Sequence, residues 1–151
     1  MKSLVSMRPP KSTSETVSRV MRANKGRDTK PELLVRKAIR AAGYLGYRTS
    51  WKRAPGRPDV AFVGKKIGII VHGCFWHGCR KCTKRTPKTN RKYWSWKIET
   101  NRKRDSRDMR RLKSHGWRAF VIWEHDIRKS NMDEMLRWLA AKRLPRLKPL
   151  E

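Results

Sequence analysis

The chain has 151 residues, enough for one compact domain with a modest core. Its 40 Lys and Arg against 12 Asp and Glu give a formal charge of +28, which excludes an ordinary mixed-sign surface, because a compact body so charged repels itself unless a polyanion neutralises it. Seven Trp exclude a merely disordered basic tail, so the first expectation is a folded nucleic-acid-binding domain.

In chain order, residues 1–18 are polar, with Pro9-Pro10 and a Ser/Thr cluster, and read as a mobile basic arm. A single domain is expected over 19–144, followed by a short tail at 145–151. Thr29-Lys30-Pro31-Glu32 has the form of a capping box with Pro just inside a helix start. Leu33, Leu34, Ala38 and Ile39 recur at helical spacing after it, and Gly43 is a stop. Residues 47–52 predict a strand, and Pro55-Gly56-Arg57-Pro58 a turn that Pro keeps out of a central sheet. Two β-rich runs, 60–63 and 67–71, are joined by Gly64-Lys65-Lys66 as a hairpin. A Cys-rich loop comes next. Residues 93–115 read as a long helix with Trp94, Ile98, Asp105, Met109 and Leu112 along one side. Gly116 ends it, 117–123 is a strand, and 132–141 is a last amphipathic helix with Met135, Leu136 and Leu139 inward. This order predicts an α/β fold, a mixed central sheet flanked by helices.

Four constellations carry chemistry. Cys74, Cys79 and Cys82 are the only cysteines and lie within nine residues. An odd count so closely spaced argues for metal rather than a disulfide framework. With His77 they supply four Zn²⁺ ligands locally, and His125, just past the last strand, is a fifth candidate. Second, Asp59 opens one strand of the hairpin and the Val71-His72 pair closes the other, so both fall at one end of the sheet, where a carboxylate suits Mg²⁺ held against a phosphate. Third, Phe75 and Trp76 sit inside the Cys-rich loop, with Trp94 and Trp96 nearby; they either pack beneath the zinc site or form a wedge between base pairs. Fourth, residues 80–118 hold sixteen Lys and Arg against three acids, a helix surface for phosphates rather than for base sequence.

Pro55-Gly56-Arg57-Pro58-Asp59, the run His72-Gly73-Cys74-Phe75-Trp76-His77, and Trp117-Arg118 leading to Trp123-Glu124-His125 resemble the very short patch repair endonucleases. Met21-Arg22, Arg27-Asp28-Thr29 and Tyr93-Trp94 through Lys97 and Asn101 fit the same pattern, over about residues 18–140. The resemblance implies a core like the type II restriction endonucleases with a structural Zn²⁺ site. It implies a Mg²⁺-dependent enzyme that acts as a monomer on mismatched double-stranded DNA, in a bacterial-type cytoplasm at the nucleoid. The strand would be nicked 5′ of the thymine in a T:G mismatch, the lesion left by deaminated 5-methylcytosine. By position, Asp59 and the Val71 carbonyl would hold Mg²⁺, His77 would activate water, His72 would assist at the phosphate, and Glu32 would support the site. Cys74, Cys79, Cys82 and His125 would hold zinc. Met21, Phe75 and Trp76 map onto an intercalating wedge with Trp94 beside them, and Lys97 and Asn101 onto base-contacting positions. The chain departs from the family pattern with Val at 71 for Thr, His at 125 for Cys, and Cys at 79 for His. The rival readings are a nuclease of the same fold with a different target, and a zinc module that binds DNA without cutting it.

Overall fold

A computed structural model describes residues 15, 19, 26–82, 87–128 and 132–146. Met21 and most of the predicted arm and tail lie outside the described residues. Four strands, β1 (Arg48–Thr49), β2 (Val60–Phe62), β3 (Ile67–His72) and β4 (Arg118–Trp123), form one sheet in the order β1-β2-β3-β4. The first three are antiparallel neighbours and β3 runs parallel to β4, so the sheet is mixed as predicted. A parallel pair needs a long crossover, and here it is the Cys-rich loop plus helix α2 (Arg91–Ser114). Helices α1 (Lys30–Ala41), α3 (Glu124–Arg128) and α4 (Asp133–Ala141) complete the framework.

The core forms where β-branched residues of the sheet meet α1 and α4. Val60, Ile67, Ile69 and Ile122 pack with Val35, Ile39, Tyr44, Met135 and Leu139, all essentially without solvent exposure. Burying each such aliphatic side chain contributes roughly 1.5–3 kcal/mol, which anchors the strand ends that carry the polar residues. Among the described residues no helix is long and apolar enough to cross a membrane.

Several elements depart from the sequence reading. The predicted strand at 47–52 pairs over two residues only, Arg48 and Thr49. The hairpin turns through a short 3-10 helix, Val63–Lys65, closed by Lys66 at φ 48°. Helix α1 buries Glu32, Val35 and Ile39, whereas Leu33 and Leu34 are 51% and 37% exposed. The face is turned because the Glu32 carboxylate is occupied at the helix start. Its Oε2 accepts the Asp28 N–H at 2.9 Å, and its Oε1 accepts the Thr29 hydroxyl at 2.8 Å. Thr29 therefore gives its hydroxyl to the Glu32 side chain and does not cap the backbone. Helix α3 was not expected, and it carries His125.

Candidate active site and metal centre

The parallel register fixes where the chemistry gathers. Val71 lies opposite Ile122 and His72 opposite Trp123, so β3 and β4 end together. Two residues beyond each end stand Cys74 and His125, which thereby become neighbours. His125 Nδ1 is 3.2 Å from Cys74 Sγ and 3.5 Å from Cys79 Sγ. The ligand atoms of Cys74, Cys79, Cys82 and His125 all lie within 4.8 Å of one another, near the edge lengths of a tetrahedron of thiolates and imidazole around zinc. Crowding fits the same purpose: burial, together with the neighbouring sulfurs, pushes the Cys74 thiol up to about 12, a cost that a divalent cation removes by taking the thiolate. Glu124 holds the loop to α3, its Oε2 accepting the Cys74 N–H at 3.1 Å. At the loop's far turn, Gly78 has φ +61°, and a Cβ there would stand 2.6 Å from Ile98 Cγ2, so only glycine lets the loop lie on α2.

His77 is not in that cluster. Its Nδ1 meets Asp105 Oδ2 at 2.5 Å, and its ring stacks on His72 with centroids 4.0 Å apart and planes within 5°. His72 Nε2 is 3.9 Å from the same Asp105 oxygen. Burial, and then the charge of His77, lower His72 to about 4, so it is a neutral imidazole at neutral pH. Burial acts to raise Asp105, but the His77 hydrogen bond and the nearby positive groups outweigh it and hold that carboxyl below its usual value. The sequence placed Asp105 on the inward side of α2 without giving it a task. Its partner is 28 residues away, and the only available signal was an acid on the buried side of an otherwise basic helix.

Asp59 lines the same cleft. Its Oδ2 accepts the Val71 N–H at 2.7 Å, joining the two ends of the hairpin as predicted. Burial pushes its carboxyl up to about 6; the Glu32 charge adds to this, and the Val71 N–H and Arg36 oppose it. Glu32, 7% exposed, is further held by Arg36 at 3.2 Å. The cleft measures about 1240 Å³ and is lined by Asp59, Val71, His72, His77 and Asp105. Arg57 also lines it, with Arg104, Arg107 and Arg111 of α2. Carboxylates and imidazoles beside well-exposed guanidinium groups such as Arg104 and Arg107 suit a phosphodiester and a cation together. The turn that carries Arg57 reaches α2 through Gly56, at φ +70°, where a Cβ would approach Asp108 Cβ to 2.9 Å.

The carboxyl of Asp59 has a consequence for stability. Its folded value lies above the ordinary 3.8, so between about pH 4 and pH 6 the folded chain binds more protons there than the unfolded chain does. Stability from this group is present at low pH and is lost as pH rises through about 6. The loss is about 3 kcal/mol by neutral pH. In Mg²⁺-free buffer, urea unfolding of Asp59→Asn against the parent should therefore show the variant gaining stability from pH 4 to pH 7.5. A difference independent of pH would contradict the assignment.

Phe75, Trp76 and Trp94 form one half-buried aromatic cluster, with centroids 5.1 Å (Phe75–Trp76), 5.1 Å (Phe75–Trp94) and 5.9 Å apart. They meet edge to face, with planes 61–82° apart. Asn101, 6% exposed, donates from Nδ2 to the Trp76 carbonyl at 2.8 Å and so holds the aromatic loop from α2. Lys97 is half-buried one turn before it.

Residues 10–84 match the family described as DNA mismatch endonuclease Vsr. The chain is 37% identical over 113 residues to DNA mismatch endonuclease Vsr of Escherichia coli K12, covering 75% of this chain and 72% of that protein. It is 39% identical over 108 residues to type II nicking enzyme V.XorIIP of Xanthomonas oryzae pv. oryzae, covering 72% and 79%. Type II nicking enzyme V.NmeDIP of Neisseria meningitidis serogroup C is 40% identical over 119 residues, covering 78% and 80%. These likenesses overturn the reading of a zinc module that binds without cutting. With the mixed sheet, the Cys/His cluster and the basic cleft, they place the chain in the Vsr family of DNA endonucleases.

Proposed function

We propose that this endonuclease nicks one strand of duplex DNA 5′ of the thymine in a T:G mismatch, using Mg²⁺, and so initiates short-patch repair of deaminated 5-methylcytosine. The single observation that carries the hydrolytic part is the cleft, which Asp59 lines together with the stacked His72–His77 pair and Asp105. Asp59 and the Val71 carbonyl would hold the cation. When bound, Mg²⁺ neutralises charge on the scissile phosphate and acidifies a water.

The remaining steps belong to side chains of this protein. Asp105 occupies Nδ1 of His77, which fixes the ring so that Nε2 presents its lone pair to the water and can take that proton as general base. The water oxygen bonds to phosphorus in line with the departing O3′, which leaves with a proton from solvent as the 3′-hydroxyl. The other product is a 5′-phosphate. His72, neutral and stacked on His77, keeps a second imidazole at the phosphate without adding charge. Arg57 and, from α2, Arg104, Arg107 and Arg111 would take flanking phosphates, all four lining the cleft. Cys74, Cys79, Cys82 and His125 hold a structural Zn²⁺, which keeps His77 and the aromatic loop in register.

Mismatch preference rests on the aromatic cluster. Phe75 and Trp76, backed by Trp94, would enter the stack beside the weakened T:G pair, with Met21 from the segment before α1 and Lys97 at the bases; Asn101, buried and bonded to the Trp76 carbonyl, would position the wedge rather than contact a base. Unstacking costs least where pairing is already poor, so the insertion selects mismatches. Trp76→Ala should lower the ratio of T:G to matched-duplex affinity roughly tenfold to a hundredfold, the range of one lost aromatic–base stack. Fluorescence anisotropy on both duplexes checks this, and equal losses on the two would contradict it. The type II nicking enzymes among the relatives favour a second reading of the target, the same chemistry at another sequence context.

A further inference from the structure

Two clusters among the described residues can each present three or more metal-binding atoms, and they are adjacent. One is the cysteine set. The other is His72, His77 and Asp105, whose ligand atoms also lie within 4.8 Å of one another. We propose that this second cluster is an inhibitory site for a borderline transition ion, of the Zn²⁺, Co²⁺ or Ni²⁺ class, bound through His72 Nε2, His77 Nδ1 and an Asp105 oxygen. The inhibition rests on the catalytic roles proposed above; the binding does not.

Geometry and donor chemistry both point this way. Two imidazoles and one carboxylate form a donor set typical of open zinc sites, with room for a water. His77 Nδ1 and His72 Nε2 already converge on one oxygen, Asp105 Oδ2, at 2.5 Å and 3.9 Å. Ligands around a tetrahedral ion stand about 3.3 Å apart, given bonds near 2 Å, so a small rotation of the His72 ring and the Asp105 carboxylate suffices. Magnesium is discriminated against, because it demands a near-octahedral oxygen shell and this cluster offers one carboxylate. The two metals thus sort by donor set within one cleft, the hard ion at Asp59 and the borderline ion at the histidines.

Occupation has a defined chemical effect. An ion on His77 Nδ1 forces the ring's one proton onto Nε2, the atom that must accept a proton from water. It also draws the Asp105 carboxylate away from orienting the ring. Nicking then stops without loss of DNA binding or of the fold. The chain has only four histidines. His125 belongs to the cysteine cluster, and His115 lies exposed at the end of α2 with its Nδ1 at the Arg111 carbonyl, so the His72–His77 pair is the one home for a second imidazole-bound ion.

The test starts from full-length protein dialysed to its tightly held zinc and titrates Zn²⁺ by calorimetry in 10-fold excess Mg²⁺, with nicking assayed on the same samples. A second equivalent should bind and nicking should fall in parallel, while DNA affinity stays unchanged. Asp105→Asn and, independently, His72→Gln should weaken the second equivalent at least tenfold while retaining the dialysis-resistant ion, which also reports that each variant is folded. Co²⁺ gives a second readout, since an ion at the histidines adds d–d absorption without new thiolate charge-transfer bands. Stoichiometry that stays at one, a second ion displaced by Mg²⁺, or variants that bind it as the parent does would overturn the site. A second ion bound with nicking unchanged would overturn the inhibition. A chain that binds the second ion but cuts no mismatch would sink the proposed function and leave the site standing.

Discussion

Asp59→Ala is expected to lower the nicking rate by about 10³-fold or more while changing affinity for a T:G duplex less than threefold. Losing the cation removes several kcal/mol of stabilisation at the phosphate, and each 1.36 kcal/mol is about a factor of ten in rate. Binding survives because the grip comes from elsewhere. Arg57, Arg104, Arg107 and Arg111 line the cleft, and α2 belongs to a segment with sixteen basic residues. Folding survives because Asp59 is a buried carboxylate whose charge is a burden without a cation. Gel-shift binding, gel-resolved cleavage and a melting curve on one preparation separate these effects. Mg²⁺-dependent cutting retained in the variant would remove Asp59 from the mechanism.

The second large effect concerns zinc. His125→Ala should abolish the dialysis-resistant ion and cost about 4 kcal/mol or more, since ion binding and folding are one free energy in such loops. For a chain of this size the melting temperature should fall by about 10 °C. His77→Ala should leave the dialysed zinc content and the melting temperature close to the parent's, because its Nδ1 faces Asp105 and not the thiols. Elemental analysis and calorimetry check both variants, and the reverse outcome would exchange the roles of the two histidines.

These two histidines show what the sequence could and could not supply. Local spacing offered His77 beside three cysteines as readily as His125, which is 51 residues from Cys74. The choice is made by the β3–β4 register, a long-range pairing that brings the two strand ends level. The β-branched runs of β2 and β3 were legible as continuous apolar stretches, since β2 is buried at all three residues and β3 at Ile67, Gly68 and Ile69. The mixed sheet followed from them.

The face of α1 was not legible. Apolar spacing favoured Leu33 and Leu34, but Glu32 is drawn inward by Asp28, Thr29 and Arg36, and the helix rolls with it. Helix α3 is five residues long with one buried side chain, Ile127, too short for any periodicity to register. The bonds made by Asp105 and Asn101 were not legible for a common reason. Each acts on a loop more than 20 residues earlier, Asp105 on His77 and Asn101 on the Trp76 carbonyl. The helical pattern put Asp105 on the inward side and the resemblance put Asn101 at a base-contacting position, and neither reading names these partners.

Charge made the first inference, a polyanion partner, and the cleft gives that charge a place. In the proposed mechanism, what would turn a grip on DNA into a cut at one phosphate is a small set lining one cleft, Asp59 with His77 and Asp105. The most direct measurement is a cleavage assay with each strand of a duplex end-labelled in a different colour, on T:G and matched T:A substrates, with and without Mg²⁺. The account predicts a single nick, on the thymine strand, immediately 5′ of the mismatched base, only with Mg²⁺ and only in the T:G duplex. Equal cutting of the matched duplex, cutting of both strands, or cutting without a divalent cation would contradict it.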